Sequence, residues 1–391
     1  MKLAPRVTVV IPMRNEERLL AKCLDSVLAN EYPRDRLEIL VIDGMSVDGS
    51  RRIAEDYARR HPCIRLLENP QQIQAAALNI GIREAGGDIV IRMDAHTTYA
   101  QDYIRECVTA LQRTGAVNVG GALRAVGTDY LSNTIAIGVT SPFGTGDARF
   151  RYSEQEEWVD TVYLGAWYKR TLEDVGGFDE AWRVNEDYQL NYRLRLAGGK
   201  ILLSPKIRCE YYVRGSLSGL VRQYFLDGFW KVKTLTAYPD SLRWRQFAPP
   251  CFVLAIAVSL VVLPFWWKVG LIVPGLYLAA NFTASFQAAG RRGLNYLPFL
   301  PIVFAAIHLS WGVGFWAGIF RSGVPRFSLR SVDQAVRSLR GVRRLGREGK
   351  FSSRRTAMRV PLRLGEMIMV YVTHLSFESG PRALMRSVML Y

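Results

Sequence analysis

The chain has 391 residues, a net charge of +16 and an apolar content of 49%, too long for one ordinary core and suited to a globular domain with an appendage. Its five cysteines, Cys23, Cys63, Cys107, Cys209 and Cys251, lack CxxC spacing, which excludes a sequence-legible zinc site or disulfide framework. The positive charge does not read as a nucleic-acid site, because its aromatic residues are not interleaved with the basic ones as stacking platforms would be.

From Val7 the chain alternates short β-rich runs with helical stretches. Val7 to Ile11 reads as a strand, and the apolar segment to Pro12 is too short for a secretory signal. A helix around Arg18 to Ala29 follows, then a strand at Leu37–Ile42, a helix at Ser50–Arg60, a strand at Ile64–Glu68, a helix at Gln72–Ala85 and a strand at Asp88–Met93. Strands alternating with helices of this length predict an α/β fold with a parallel, doubly wound sheet. Ligand chemistry in such sheets gathers at the carboxyl ends of the strands. The segment Gly127 to Ser153 reads as a long irregular loop, a length that points to function or disorder.

Charges almost vanish between Pro250 and Phe320, leaving Lys268, Arg291 and Arg292. Three apolar runs lie here, Cys251–Trp267, Val269–Ala289 and Leu297–Phe320, each of a length to enter a bilayer and flanked by Trp266, Trp267, Tyr296 and Trp311. Residues 321–363 then hold thirteen Lys and Arg against Asp333 and Glu348, which predicts a cytoplasmic anchor for anionic lipid. Three full crossings would place the N-terminal domain and this tail on opposite sides, against the positive-inside rule. One of the first two runs, separated by Lys268 and interrupted by Pro264 and Pro274, is therefore expected to be re-entrant or interfacial. Residues 361–377 read as an interfacial amphipathic helix.

Four elements fall at strand ends: Pro12-Met-Arg14-Asn15-Glu16, Asp43-Gly-Met-Ser46-Val-Asp48-Gly49-Ser50, Asp94-Ala-His96 and Asn185-Glu186-Asp187. Together, over roughly Val7 to Thr236, they resemble inverting glycosyltransferases of family 2, and most closely the succinoglycan-type membrane-bound enzymes of exopolysaccharide synthesis. The resemblance implies a GT-A fold, in which a nucleotide-binding half and an acceptor-binding half share one sheet. The boundaries expected are a GT-A domain at 1–215, interfacial helices at 216–249, transmembrane helices at 250–320 and a basic tail with an interfacial helix at 321–391.

The resemblance assigns residues to roles. Pro12, Arg14 and Glu16 match the first nucleotide-contacting loop, with Arg14 equally readable as a surface charge. Asp43 would accept hydrogen bonds from base or ribose, and Asp48 either contacts the nucleotide or caps the helix beginning near Ser50. A leaving diphosphate calls for a hard divalent cation, Mn2+ or Mg2+, on oxygen ligands. Asp94 and His96 occupy the first and third positions of the DxD motif, so the second ligand is an imidazole, which either binds metal or contacts phosphate. Glu186-Asp187 matches the ED motif, with Asp187 as general base and Glu186 orienting the acceptor; the bland alternative is a pair of acids in a helix's first turn. Gly165 and Ala166 match the acceptor-side strand, or mark a bulge. Gln223 and Lys231, with Arg222 beside them, match loosely the QxxRW element of sugar polymerases and would meet the diphosphate, or else belong to an interfacial helix with snorkelling basic groups. Gln72, Gln74 and Asn79 are weaker donor contacts.

The function expected is transfer of one sugar from a nucleotide-sugar, UDP-linked by preference, to a polyprenyl diphosphate-linked saccharide, by a multi-pass protein of the cytoplasmic membrane whose catalytic domain faces the cytoplasm. The rivals are a polyprenyl-phosphate sugar synthase, a processive polysaccharide synthase and an inactive membrane scaffold. Three acids at three strand ends argue against the scaffold.

Overall fold

A computed structural model describes residues 4–323 except 214 and 242, all within one compact unit. The expected amphipathic segment 361–377 and most of the basic tail lie outside the described residues. Eleven strands form: β1 (Val7–Met13), β2 (Leu37–Asp43), β3 (Ile64–Glu68), β4 (Ile89–Arg92), β5 (Thr97–Tyr99), β6 (Asn118–Gly121), β7 (Arg124–Val126), β8 (Glu157–Val159), β9 (Tyr163–Tyr168), β10 (Ile201–Leu203) and β11 (Cys209–Tyr212). Eight of them make one sheet in the order β3-β2-β1-β4-β9-β6-β10-β8, and β5-β11-β7 make a small second sheet.

The first half of the main sheet is parallel, as expected: β1 pairs with β2 and β4, and β2 with β3. Its strands alternate buried apolar residues between two faces. Val9, Ile11, Ile39, Val41, Ile89 and Ile91 join one core, while Val10, Leu40, Ile42 and Val90 join the other. A strand covered on both faces needs such an unbroken apolar run. The helix Gln74–Glu84 lies so close to β1 that a Cβ on Gly81 would fall 2.4 Å from Val10 Cγ1.

The second half departs from the all-parallel expectation. β9 runs antiparallel to both β4 and β6, and β8 runs antiparallel to β10. Because β9 opposes β6, it starts beside the end of β6, so the chain between them stays at one end of the sheet and re-enters from there. That intervening segment is not the irregular loop predicted. It holds the helices Tyr130–Val139 and Pro142–Thr145. The first is capped by Asp129, whose carboxylate accepts from the Ser132 N–H at 2.9 Å, and its Ile135 and Val139 pack with Val303 and Ile307. Its covering surface lies more than 160 residues further on, so local sequence could not reveal it.

Three helices are long and apolar enough to cross a membrane, within Arg245–Val262, Trp267–Arg292 and Leu300–Ser322. The first helix begins at Trp244, six residues before the expected membrane boundary, and carries Pro249 and Pro250 within it. The preceding helix, Leu217–Ala237, lies between the α/β domain and the third apolar helix. On one side Asn185 donates to the Asp227 carbonyl (3.2 Å) and Trp182 Nε1 to Thr234 Oγ1 (3.2 Å). On the other side the two helices run parallel at glycine-mediated distance. A Cβ on Gly314 would fall 2.0 Å from the Phe225 carbonyl oxygen, and one on Gly228 2.1 Å from that of Trp311. Gly228 is thus a close-approach residue. The third apolar helix lies along Leu217–Ala237.

Candidate active site

Parallel register brings Met13 beside Asp43 and Asp43 beside Glu68, so the loops after β1 and β2 emerge together. They are laced by polar bonds: Asn15 N–H donates to Ser46 Oγ (3.0 Å), Val47 N–H to Asn15 Oδ1 (2.9 Å) and Glu16 N–H to Ser50 Oγ (2.7 Å). Asn15 and Met45 adopt positive φ to allow this. Asp43 is fully buried. Its Oδ1 accepts from Ser46 N–H at 3.0 Å, while Oδ2 makes no hydrogen bond and faces Arg51 Nη1 at 3.6 Å. Asp48 accepts from the Ser50 and Glu17 N–H groups, an Asx-type turn at the start of the helix Ser50–Arg60, and Arg14 is exposed.

At the end of β4 a buried charge cluster forms. Arg92, only 7% exposed, points its Nε and Nη2 at Asp94 (3.0 and 3.4 Å) and its Nη1 at Glu186 (3.2 Å). Asp94 and Glu186 are 6% and 5% exposed. Gln74, with its amide oriented to suit these neighbours, accepts from Arg92 Nη2 (2.6 Å) and donates to Glu186 Oε1 (3.3 Å). Burial opposes the charge on Arg92, and Asp94, Glu186 and Asp187 more than reverse that, holding the guanidinium above its ordinary value. Burial likewise raises the Glu186 carboxyl, Arg92 pulling it down and Asp187 pushing it further up. His96 Nδ1 lies 3.2 Å from Glu16 Oε1, joining the first loop to the end of β4.

Gln74, Asp94, His96, Asp187, Gln223 and Lys231 all line one cavity of about 720 Å3, a size in the range of small-molecule sites. Sequence analysis placed each of them in the site. The other predicted residues lie elsewhere. Pro12, Arg14, Glu16, Asp43 and Asp48 sit at the neighbouring ends of β1 and β2, reached through the Glu16–His96 contact. Gly165 and Ala166 are paired with Arg92 and Ile91 inside the sheet, where a Cβ on Gly165 would strike the Trp167 ring at 2.4 Å. Their small size therefore answers to strand packing, and Thr161 and Tyr163, just before them, are the residues of that segment that face the cavity. Asn79 binds the Phe178 backbone and Glu180 Oε1 and ties its helix to the loop preceding the ED motif. Gln72 adopts positive φ in the turn before its helix.

Arg92 was not singled out from sequence, although an arginine at the last position of an otherwise apolar strand, two residues before Asp94, was a visible signal of a buried pair. Also unforeseen were cavity walls from the apolar helices: Phe252, Tyr277, Ile307, His308 and Trp311.

Among the described residues no group of three or more His, Cys, Asp or Glu converges as a metal cage. Asp94 and His96, a carboxylate and an imidazole of the kinds that bind divalent cations, line the cavity together, and Asp94 also meets the Arg92 guanidinium.

The pattern described as Glycosyl transferase family 2 matches residues 8–175. The chain is 32% identical to the succinoglycan biosynthesis protein ExoA of Rhizobium meliloti (strain 1021), over 79% of this chain and 93% of that protein. It is 24% identical, over 81% of this chain and 97% of the relative, to the dolichyl N-acetyl-alpha-D-glucosaminyl phosphate 3-beta-D-2,3-diacetamido-2,3-dideoxy-beta-D-glucuronosyltransferase of Methanococcus voltae. A solved mannosyltransferase of Pyrobaculum calidifontis, in complex with GDP-Man and Mn2+, shares the fold with a TM-score of 0.53 at 22% identity, covering 81% of this chain and 88% of that one. The mixed sheet is accordingly a GT-A fold, and the chain belongs to glycosyl transferase family 2.

Proposed function

We propose that the protein transfers a single sugar, with inversion, from a nucleotide-sugar, UDP-linked by preference, to a saccharide carried on a polyprenyl diphosphate at the membrane. The observation that supports this reading is one cavity lined by Asp94 and His96 at the end of β4, by Asp187, and by aromatic residues of all three apolar helices. Such a cavity suits a polar donor at one end and an acceptor anchored in lipid at the other. The kinship with a transferase named for a dolichyl-phosphate-linked saccharide supports a lipid-linked acceptor.

Asp43, with a buried oxygen lacking a hydrogen bond, is suited to a hydroxyl or N–H of the nucleoside, alongside Pro12, Glu16 and Asp48 of the laced loops. Asp94 and His96 would hold Mn2+ or Mg2+, which when bound supplies Lewis-acid stabilisation of the departing diphosphate. Asp187 takes the proton of the acceptor hydroxyl as its oxygen attacks the anomeric carbon. The bond from that carbon to the diphosphate breaks on the opposite face, and the nucleoside diphosphate leaves with the electron pair. Glu186, locked to Arg92 and Gln74, orients the helix that presents Asp187. A second reading, direct transfer to a polyprenyl phosphate, is favoured by the Lys231 ammonium, whose charge feels Asp187 from the same cavity.

The apolar helices support a hairpin topology. The first starts at the catalytic domain, where Arg245 pairs with Asp160 (2.6 Å) and Asp147 (2.9 Å). The second returns to it, where Tyr130 donates to the Asn295 carbonyl at 2.5 Å. Between them Phe265, Trp266 and Trp267 are exposed at the far turn. The third stays packed along the helix Leu217–Ala237, down to Phe315 and Ile319 against Val232 and Leu235. In this reading the hairpin alone penetrates the bilayer, and the catalytic domain and the basic tail share the cytoplasmic face, in keeping with the positive-inside rule.

The decisive assay is release of free nucleotide from a panel of UDP- and GDP-sugars by the full-length protein in membranes holding polyprenyl-linked acceptors, with manganese or EDTA, beside Asp187→Asn. Acceptor-dependent, EDTA-sensitive release that the variant loses is expected. Release that persists undiminished in the variant refutes the role of Asp187. For topology, protease sites inserted after residue 35 and after residue 353 should be cut from the same side of sealed vesicles, and cutting from opposite sides refutes the hairpin.

A further inference from the structure

The helix Leu217–Ala237 brings Tyr224 and Lys231 to the cavity on one face, seven residues and so about 10 Å apart along the axis. Both are buried, at 5% and 3% exposure. Neither Tyr224 Oη nor Lys231 Nζ has a hydrogen-bond partner among the described residues. Lys231 instead holds its ammonium 3.4 Å from the centroid of the Tyr188 ring. Two orphaned buried donors on one wall are costly unless something outside the protein satisfies them.

The charges facing the cavity narrow what that is. Arg92 is engaged by Asp94 and Glu186, and Arg245 by Asp147 and Asp160. Lys231 and Arg151 face the cavity without an ion pair among the described residues, and Gln223 and Asp227 lie on the same wall. Beyond this wall the cavity turns apolar. Phe252 of the first apolar helix stacks on Tyr277 of the second with centroids 4.3 Å apart, and Ile307 and Trp311 of the third close the other side. The polar groups of Tyr277 and His308 are turned upon each other at 3.0 Å, and His308 Nε2 meets the Phe143 carbonyl at 2.8 Å, leaving a wall of rings. A free anion has no use for such a wall, and an uncharged lipid has none for the ammonium.

Resting on the reading that the acceptor is lipid-linked, we infer that this arm of the cavity seats the head of an isoprenoid phosphate, its phosphate on Lys231 Nζ and Tyr224 Oη and its first isoprenoid units between Phe252, Tyr277, Ile307 and Trp311. Lys231 thereby serves the acceptor's phosphate, and the donor's diphosphate is left to the Asp94–His96 end.

The test uses the full-length protein in nanodiscs with a short polyprenyl phosphate bearing a diazirine in its second isoprenoid unit, beside the matched polyprenol and, as competitor, a phosphatidic acid. Nucleotide-sugar binding is measured separately on the same samples. Phosphate-dependent labelling of peptides containing Phe252 and Trp311 is expected. Lys231→Met should weaken the lipid at least 10-fold, as expected for loss of a hydrogen bond to a charged group, and leave nucleotide-sugar affinity within about 2-fold. Tyr224→Phe, which keeps the packing and removes one hydroxyl, should weaken the lipid by a smaller factor without lowering the melting temperature. Equal labelling by polyprenol, equal competition by phosphatidic acid, or a Lys231→Met defect confined to the nucleotide-sugar would each overturn the assignment. Failure of the wild type to bind any nucleotide-sugar would instead strike the proposed donor, with the labelling pattern still deciding the lipid seat.

Discussion

Replacing Arg92 by methionine removes the guanidinium that reaches both Asp94 and Glu186 while keeping much of its buried volume. Its three contacts to the acids vanish, at 3.0, 3.4 and 3.2 Å, with the bond to Gln74 at 2.6 Å, and two carboxylates that are 6% and 5% exposed lose the cation between them. Breaking a buried ion pair by removing one partner costs about 3–5 kcal/mol, because an uncompensated charge stays behind. At ~2–4 °C per kcal/mol, the melting temperature should fall by about 6–20 °C. Thermal unfolding of the detergent-solubilised protein, followed by tryptophan fluorescence, reads this directly. The double variant Arg92→Met/Glu186→Gln supplies the control, since a neutral amide at 186 leaves one orphaned charge fewer. The two changes should therefore be non-additive by about 1–3 kcal/mol, as for other residues in one network. A loss below about 1 kcal/mol for Arg92→Met, outside the range for breaking a buried pair, or strict additivity in the cycle, would refute the view that Arg92 holds the two acids together.

Asp187→Asn should lower turnover by about 10²–10⁴, the range for a general base, with little change in donor KM, as read by steady-state nucleotide release. Burial, with Arg245 adding, pushes the Lys231 ammonium down to about 7, against the pull of Asp187, Asp160 and Asp227. The unfolded chain then holds a proton that the folded chain has lost, so stability should rise as pH climbs from about 7 towards the lysine's ordinary value of 10.5. The slope would be up to about 1.4 kcal/mol per pH unit, and Lys231→Met should flatten it in pH-dependent melting curves. Gly314→Ala places a Cβ 2.0 Å from a backbone oxygen, whereas Gly275→Ala meets nothing within 4 Å. The first should cost about 1–3 kcal/mol by overpacking, and the second should leave the melting temperature unlowered. Equal effects would mean that the third apolar helix does not rest on Leu217–Ala237.

The strands that build the parallel half of the main sheet were legible because each carries its own signal. An apolar run such as Val7–Met13 or Leu37–Asp43, ending on a loop of Asn, Ser and Gly, identifies a buried strand and its carboxyl end without reference to anything distant. The acids at those ends could be named for the same reason, and so could the three apolar helices, whose composition alone suits a bilayer. Direction and partnership were not legible. Nothing in Tyr163–Tyr168 distinguishes a parallel from an antiparallel strand, and β9 takes its direction from where the preceding chain has been led. Tyr130–Val139 is a helix because Val303 and Ile307 cover it, and Gly165 is small because the Trp167 ring lies against it. Gly228 is small because the Trp311 backbone does. Arg92 could be read as a charge in a strand, but only the packed sheet shows that it bridges Asp94 to Glu186, 92 residues apart. Periodicity and composition are properties of neighbours along the chain, whereas desolvation, ion pairing and close approach belong to groups that only the folded chain brings together.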